Sequence, residues 1–123
     1  MKSLHRYLIA LCLFVVLGAL SVHAQDANGV YSKVDESPVP VKTPPPKYPF
    51  AMRRDKISGI VTVAVIIDEK GNVIDATISK SSNPEFEAPS LEAVKSWHFK
   101  PAKVGGKEVK VRVVIPLKYD FQE

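Results

Sequence analysis

Residues 59–79 constrain this chain more than any other stretch, because they hold two β-forming runs joined by a short turn. Ile60, Val61, Thr62, Val63, Ala64, Val65, Ile66 and Ile67 are β-branched at every place but Ala64. Branching at Cβ restricts the side chain in a helix and suits a pleated surface. Asp68, Glu69, Lys70, Gly71 and Asn72 then supply turn chemistry, with Gly71 free to take positive φ. The chain returns through Val73–Ser79, where Ile74, Ala76 and Ile78 alternate with Asp75, Thr77 and Ser79. The first run is apolar on one face (Val61, Val63, Val65, Ile67) and nearly so on the other, which predicts a neighbouring strand on both sides. The second reads as half exposed. A lone hairpin is marginal in water, so the remaining chain must cover it.

The last strand shows the cleanest alternation. Val109, Val111, Val113, Ile115, Leu117, Tyr119 and Phe121 share one face, and Lys110, Arg112, Val114, Pro116, Lys118 and Asp120 share the other. Pro116 has no N–H to give a ladder, and Lys110, Arg112 and Lys118 discourage indiscriminate pairing, so this run reads as an edge strand. Gly105 and Gly106 form the turn before it. Two helices complete the pattern. A short one opens at Pro49, places Phe50 and Ile57 on one face with Arg53, Arg54 and Lys56 in solvent, and ends near Gly59. A second begins near Ala88 and Pro89 and runs to Trp97 or His98, with Leu91, Val94 and Trp97 as its apolar stripe, and Pro101 ends it. The expected fold is α+β: a small antiparallel three-stranded sheet of order 2-1-3, with two helices packed on one face. Tyr48, Val63, Val65, Leu91, Val94, Trp97 and Phe99 are its expected core.

Residues 1–24 have the layout of an export signal: Lys2 and Arg6, an apolar run from Tyr7, and Val22-His23-Ala24 before a cleavage point. The alternative, a short inner-membrane anchor, needs about 20 apolar residues, and this run holds 16 from Tyr7 to Val22. Cleavage would take the net charge from +4 to +2 and remove Cys12, the only cysteine. No dense basic run with interleaved aromatics remains, which argues against nucleic acid as a partner. Residues 25–47 hold Pro38, Pro40, Pro44, Pro45 and Pro46 and read as an extended spacer, leaving 48–123 as the domain.

Catalytic raw material is scarce. His98 is the only histidine beyond residue 24, and without cysteine neither a zinc cluster nor a thiol or Ser-His nucleophile can be assembled. Asp68, Glu69, Glu85, Glu87 and Glu92 lie in turns or on a helix, where solvated surface explains them. Gly105 and Gly106 match no phosphate-cradling motif. The expectation is a binding module with no catalytic residue, cofactor or metal.

Tyr48 and Pro49, then Arg53, Arg54, Ile57, Gly59, Ile60 and Val61, resemble the opening signature of the TonB C-terminal domain family. Asp68, Gly71 and Val73 resemble its hairpin turn. Leu91, Glu92, Ala93, Val94, Trp97, Phe99, Pro101 and Ala102 resemble its most recognisable block, and Pro116 and Leu117 its closing strand. The resemblance covers residues 48–119. Met52 stands where Ala is usual, Phe86 where Leu is usual, Pro89 and Ser90 where small helix residues are usual, and Tyr119 where Phe is common. The resemblance implies a periplasmic protein, exported or anchored in the inner membrane. It also implies recognition of a peptide segment of a TonB-dependent outer-membrane transporter, added as a strand to a sheet edge and serving energy-coupled uptake. The expected edge is Val109, Lys110, Val111, Arg112, Val113, Val114 and Ile115. Inner-membrane motor proteins become partners if the amino terminus is retained, and edge pairing would allow a homodimer. The alternative is a free periplasmic adaptor that binds partner proteins without transmitting energy.

Overall fold

The computed structural model describes residues 25–121, so the leader expected at residues 1–24 lies outside the described residues. In chain order the elements are β1 (Val30–Tyr31), β2 (Val39–Lys42), α1 (Phe50–Arg54), β3 (Gly59–Ile67) and β4 (Val73–Ser81). A 3₁₀ turn (Pro84–Phe86) leads into α2 (Glu87–Lys95), followed by β5 (His98–Lys100), β6 (Ala102–Val104) and β7 (Lys107–Tyr119).

The order β4-β3-β7 forms the middle of the sheet, with both pairs antiparallel, and β3 lies between its two neighbours. The sheet is wider than the three strands expected. β1 and β6 both add to β7 and make it five-stranded, while β2 and β5 form a separate two-stranded sheet. The added strands have two to four residues each, too short for a period-2 pattern to emerge from sequence. β6 exists because Gly105 and Gly106, both at positive φ, close a tight hairpin onto β7.

One face of the sheet carries the core. Val61, Val63, Val65 and Ile67 from β3 are fully buried, and Val111, Leu117 and Tyr119 join them from β7. Met52 from α1, Phe86 from the 3₁₀ turn and Val94 from α2 close over this face. Each such aliphatic or aromatic side chain contributes about 1.5–3 kcal/mol when fully buried. Tyr48, Phe86 and Tyr119 form an aromatic cluster, with Phe86 stacked on Tyr119 at 4.3 Å and Tyr48 edge-on to both at 5.7 Å. The Tyr48 hydroxyl donates to the Ile57 carbonyl, which ties the entry of α1 to the start of β3. Ser90 is the one buried polar residue among those described. Its Oγ lies 2.7 Å from both the Phe86 carbonyl and the Tyr119 hydroxyl, and no buried side-chain donor among the described residues is left without a partner.

Three local expectations need correcting. α1 has five residues, so Phe50 and Ile57 do not share a helical face: Phe50 is 78% exposed and Met52 is buried in its place. α2 ends at Lys95 with Ser96 as its cap, and His98 and Phe99 belong to β5, where the Phe99 N–H donates to the Gly71 carbonyl at 2.8 Å. Pro101 therefore separates β5 from β6 and does not end a helix.

Residues 25–47, read as a spacer, lie along the body. β1 pairs with β7, Glu36 exchanges backbone hydrogen bonds with Lys103, and β2 pairs with β5. The Trp97 indole N–H then donates to the Pro44 carbonyl at 2.8 Å. Prolines leave carbonyls free to accept, and an extended chain presents them in a row, so a strap of this composition can be held by donors along its path.

Candidate protein-binding edge

β7 pairs with β3 without interruption from Val111 to Tyr119. Within that register Pro116 lies opposite Thr62. Proline has no N–H, so this is a non-hydrogen-bonded pair, and antiparallel alternation sets the direction of every neighbour. The N–H groups of Val111, Val113, Ile115 and Leu117 point toward β3. Those of Arg112, Val114 and Lys118 point away from it, toward the open side. One proline thus fixes which donors face outward.

The seven residues of the expected edge fall into two groups. Val109 is paired with Ala102 of β6, and Lys110 and Val111 are paired with Val30 and Tyr31 of β1. The expected free edge is therefore shortened at its start by β1, while β6 pairs on the side of β7 that faces β3. From Arg112 onward, through Val113, Val114 and Ile115, no strand among the described residues pairs on the outer side. Arg112 and Val114 are exposed, Val114 at 57%, while Val113 and Ile115 pack partly against the core. The open segment thus combines outward main-chain donors with a mixed basic and apolar surface made by Arg112, Val114, Pro116 and Lys118.

The opposite edge of the sheet differs. The β3–β4 ladder shifts register twice, between Thr62 and Val63 and between Ile66 and Ile67. Such irregularities twist an edge and break the even row of groups that an added strand needs. β7 keeps that row intact.

One charged contact borders the open segment. Asp26 and Arg112 form an ion pair at 3.3 Å. The Asp26 carboxyl also accepts the backbone N–H groups of Asn28 and Val30 at 2.8 and 3.0 Å. The N–H of Val30 and then of Asn28, with Arg112 adding a smaller pull, hold its pKa below the ordinary 3.8.

Of the expected core residues, Val63, Val65 and Val94 are fully buried and Phe99 nearly so, while Tyr48, Leu91 and Trp97 pack partly buried against them. Sequence reasoning missed Ser90 and Tyr119 as a buried hydrogen-bonded pair, although a Ser four residues after Phe86 on a helical path was the available signal. His98 Nδ1 meets Asn72 Oδ1 at 3.0 Å, which ties β5 to the hairpin turn. Among the described residues no three His, Cys, Asp or Glu side chains gather as a metal site, and no helix is long and apolar enough to cross a membrane.

Comparison with known proteins agrees with this architecture. Residues 44–121 match the family described as Gram-negative bacterial TonB protein C-terminal. The chain is 34% identical over 76 residues to Protein TonB of Xanthomonas campestris pv. campestris (strain B100), a match that covers 61% of this chain and 34% of that protein. It is 33% identical over 78 residues to Protein TonB of Vibrio cholerae serotype O1, covering 63% of this chain and 32% of that protein. The matched region is thus about a third of the length of these relatives. The solution NMR structure of the Pseudomonas aeruginosa TonB CTD superposes with a TM-score of 0.60 at 22% identity, covering 84% of this chain and 98% of that one. Helices and sheet follow the same α+β plan, and the match to the family spans most of the chain: this protein belongs to the TonB C-terminal family.

Proposed function

We propose that this protein is a TonB-type periplasmic binding module that takes up an extended peptide segment of an outer-membrane transporter and supports energy-coupled uptake. The segment adds as a strand to the outer side of β7, starting at Arg112. The observation that carries this reading is the unbroken β7 ladder with outward N–H groups at Val114 and Lys118 and no strand beyond them among the described residues. Main-chain hydrogen bonds supply most of the affinity in such augmentation, and side-chain pockets tune the choice of partner. Family membership supports the transporter as the partner.

The test uses two prolines one residue apart. Val114→Pro removes an outward donor, and Pro116 shows that this phase of β7 tolerates proline. Val113→Pro removes an inward donor from the ladder with β3, with an expected cost of roughly 3 kcal/mol. Val114→Pro should keep the wild-type circular dichroism spectrum and lose binding to peptides from outer-membrane transporters. Val113→Pro should lose stability itself. A folded Val114→Pro variant that binds those peptides as tightly as wild type would place the site elsewhere.

A further inference from the structure

The amino-terminal part of the β7 edge is filled by this chain's own segment. β1 brings two residues to it, running parallel, with Val30 opposite Lys110 and Tyr31 opposite Val111. The segment is held chiefly by itself. Asp26 donates its N–H to the Val30 carbonyl at 2.9 Å, its side chain accepts from Asn28 and Val30, and Gln25 bridges to Tyr31. It is therefore a preformed loop that docks as a unit. Two features fasten it to β7 beyond the short ladder: Val30, buried to 5% exposure, and the Asp26–Arg112 ion pair. Arg112 is also the first residue of the open edge, so the occupied and open parts meet at one side chain.

These fastenings are weak individually. The ladder has two residue pairs, and Arg112 is 48% exposed, where an ion pair contributes little. β6 is different, since the Gly105-Gly106 turn ties it covalently close to β7. Between Tyr31 and Val34, Ser32 and Lys33 are exposed, and from Asp35 onward the strap is held again by Lys103. A hinge at residues 32–33 would free β1 while leaving the strap in place, and the tether would keep it near its site.

We infer that the segment around β1 is a displaceable occupant of the strand-binding edge, and that a partner strand extending past Arg112 toward Lys110 competes with it. The partner this geometry fits is an extended peptide that replaces Val30 with an apolar residue and meets Arg112 with a carboxylate, as Asp26 does. This inference rests on the reading of β7 as a strand acceptor. Occupancy by the chain's own segment weakens apparent affinity by the fraction of molecules in which the edge is open.

The experiment uses the full chain as wild type, Asp26→Ala and Val30→Asp. Amide hydrogen exchange at Lys110 and Arg112 should rise in both variants while Val61, Val63 and Val65 keep their protection. A peptide from an outer-membrane transporter should then bind both variants about tenfold more tightly than wild type. Equal affinity for all three proteins, with the local protection lost, would overturn the competition while leaving strand addition intact. If that peptide binds none of them, strand addition to transporters fails, and a second probe decides the occupant's fate. That probe is a free peptide of residues 25–32, followed through the Lys110 and Arg112 amide resonances. Binding to Val30→Asp in preference to wild type supports a displaceable occupant, and binding to neither refutes it.

Discussion

Substituting Gly71 by alanine tests how tightly the β3–β4 turn is bound to β5. Gly71 has φ of +86°, and a Cβ placed there would lie 1.7 Å from the Phe99 carbonyl oxygen. That oxygen is backbone, so no side chain can rotate away. The turn cannot easily retreat either. Asp68 accepts the N–H groups of Lys70 and Asn72 on its side chain and that of Gly71 on its carbonyl. Relief therefore means separating the turn from β5 and losing the 2.8 Å hydrogen bond from the Phe99 N–H to the Gly71 carbonyl. The left-handed conformation costs about 1–2 kcal/mol with a side chain present, and the abandoned hydrogen bond about 1–3 kcal/mol. Gly105 supplies the control, since it has φ of +57° but no atom within 4 Å of where an added methyl group would sit. Gly105→Ala should cost only the conformational part. Both variants restrict the unfolded chain equally, so that contribution cancels in the comparison. Urea unfolding followed by fluorescence of Trp97, the only tryptophan, gives both values. Gly71→Ala should be the less stable by about 1–3 kcal/mol. A difference within about 0.5 kcal/mol would refute the close approach as the reason for glycine at this position.

Trp97→Phe keeps a ring against the core and removes the N–H that holds Pro44, so it should cost about 1 kcal/mol and shift the resonances of residues 44–47 more than those of β3. Asp26 has a folded pKa below the ordinary 3.8, so its contribution is present above that value and disappears as pH falls through the lowered one. Exchange protection at Lys110 and Arg112 should accordingly be lost in acid before that of Val63 and Val65. Burial raises the Tyr119 hydroxyl above its ordinary 10.0, with Ser90 pulling the other way. Its contribution is therefore complete below pH 10 and declines as pH rises through the raised value, which urea titrations across that range would show. Ser90→Ala should cost about 1–3 kcal/mol in the same assay, because the Tyr119 hydroxyl loses its 2.7 Å partner in a buried site.

Long, periodic segments were legible in the sequence and short or irregular ones were not. β3, β4 and β7 announced themselves through nine to thirteen residues of consistent patterning. Pro116 marked β7 as an edge because proline excludes a second hydrogen-bonded neighbour. Phe50 was misplaced because a seven-residue spacing presumes two helical turns, and α1 stops at Arg54 before Lys56 turns the chain through a positive φ of 57°. β1 and β6 could not be read, since each depends on a surface that only β7 provides. The proline-rich stretch looked like a spacer because composition reports conformation and not contact: the donors holding it belong to Trp97, Lys103 and β5. The shortening of the binding edge follows from those same invisible contacts.

The two long edges of the sheet solve one problem in different ways. An exposed row of main-chain groups invites unwanted pairing, and β4 avoids it through its two register shifts. β7 stays straight, so its protection must come from elsewhere. Covering by β1 protects the edge at Lys110 and Val111, and charge protects the rest. Two copies pairing antiparallel through β7, centred on Ile115, would set Arg112 directly opposite Lys118, twice over. Centring on Val114 instead sets Lys118 opposite Lys110, and like charges facing across a ladder are destabilising. Centring on Pro116 brings Arg112 to Asp120, beyond the end of β7, but places two prolines face to face where each chain should donate. Each of these three registers is therefore opposed, by charge or by a missing donor. A peptide with neutral or acidic side chains meets no such opposition and gains the main-chain hydrogen bonds. The basic residues and the proline on this edge thus favour a foreign strand over a second copy of the chain, while leaving the backbone donors at Val114 and Lys118 available to it.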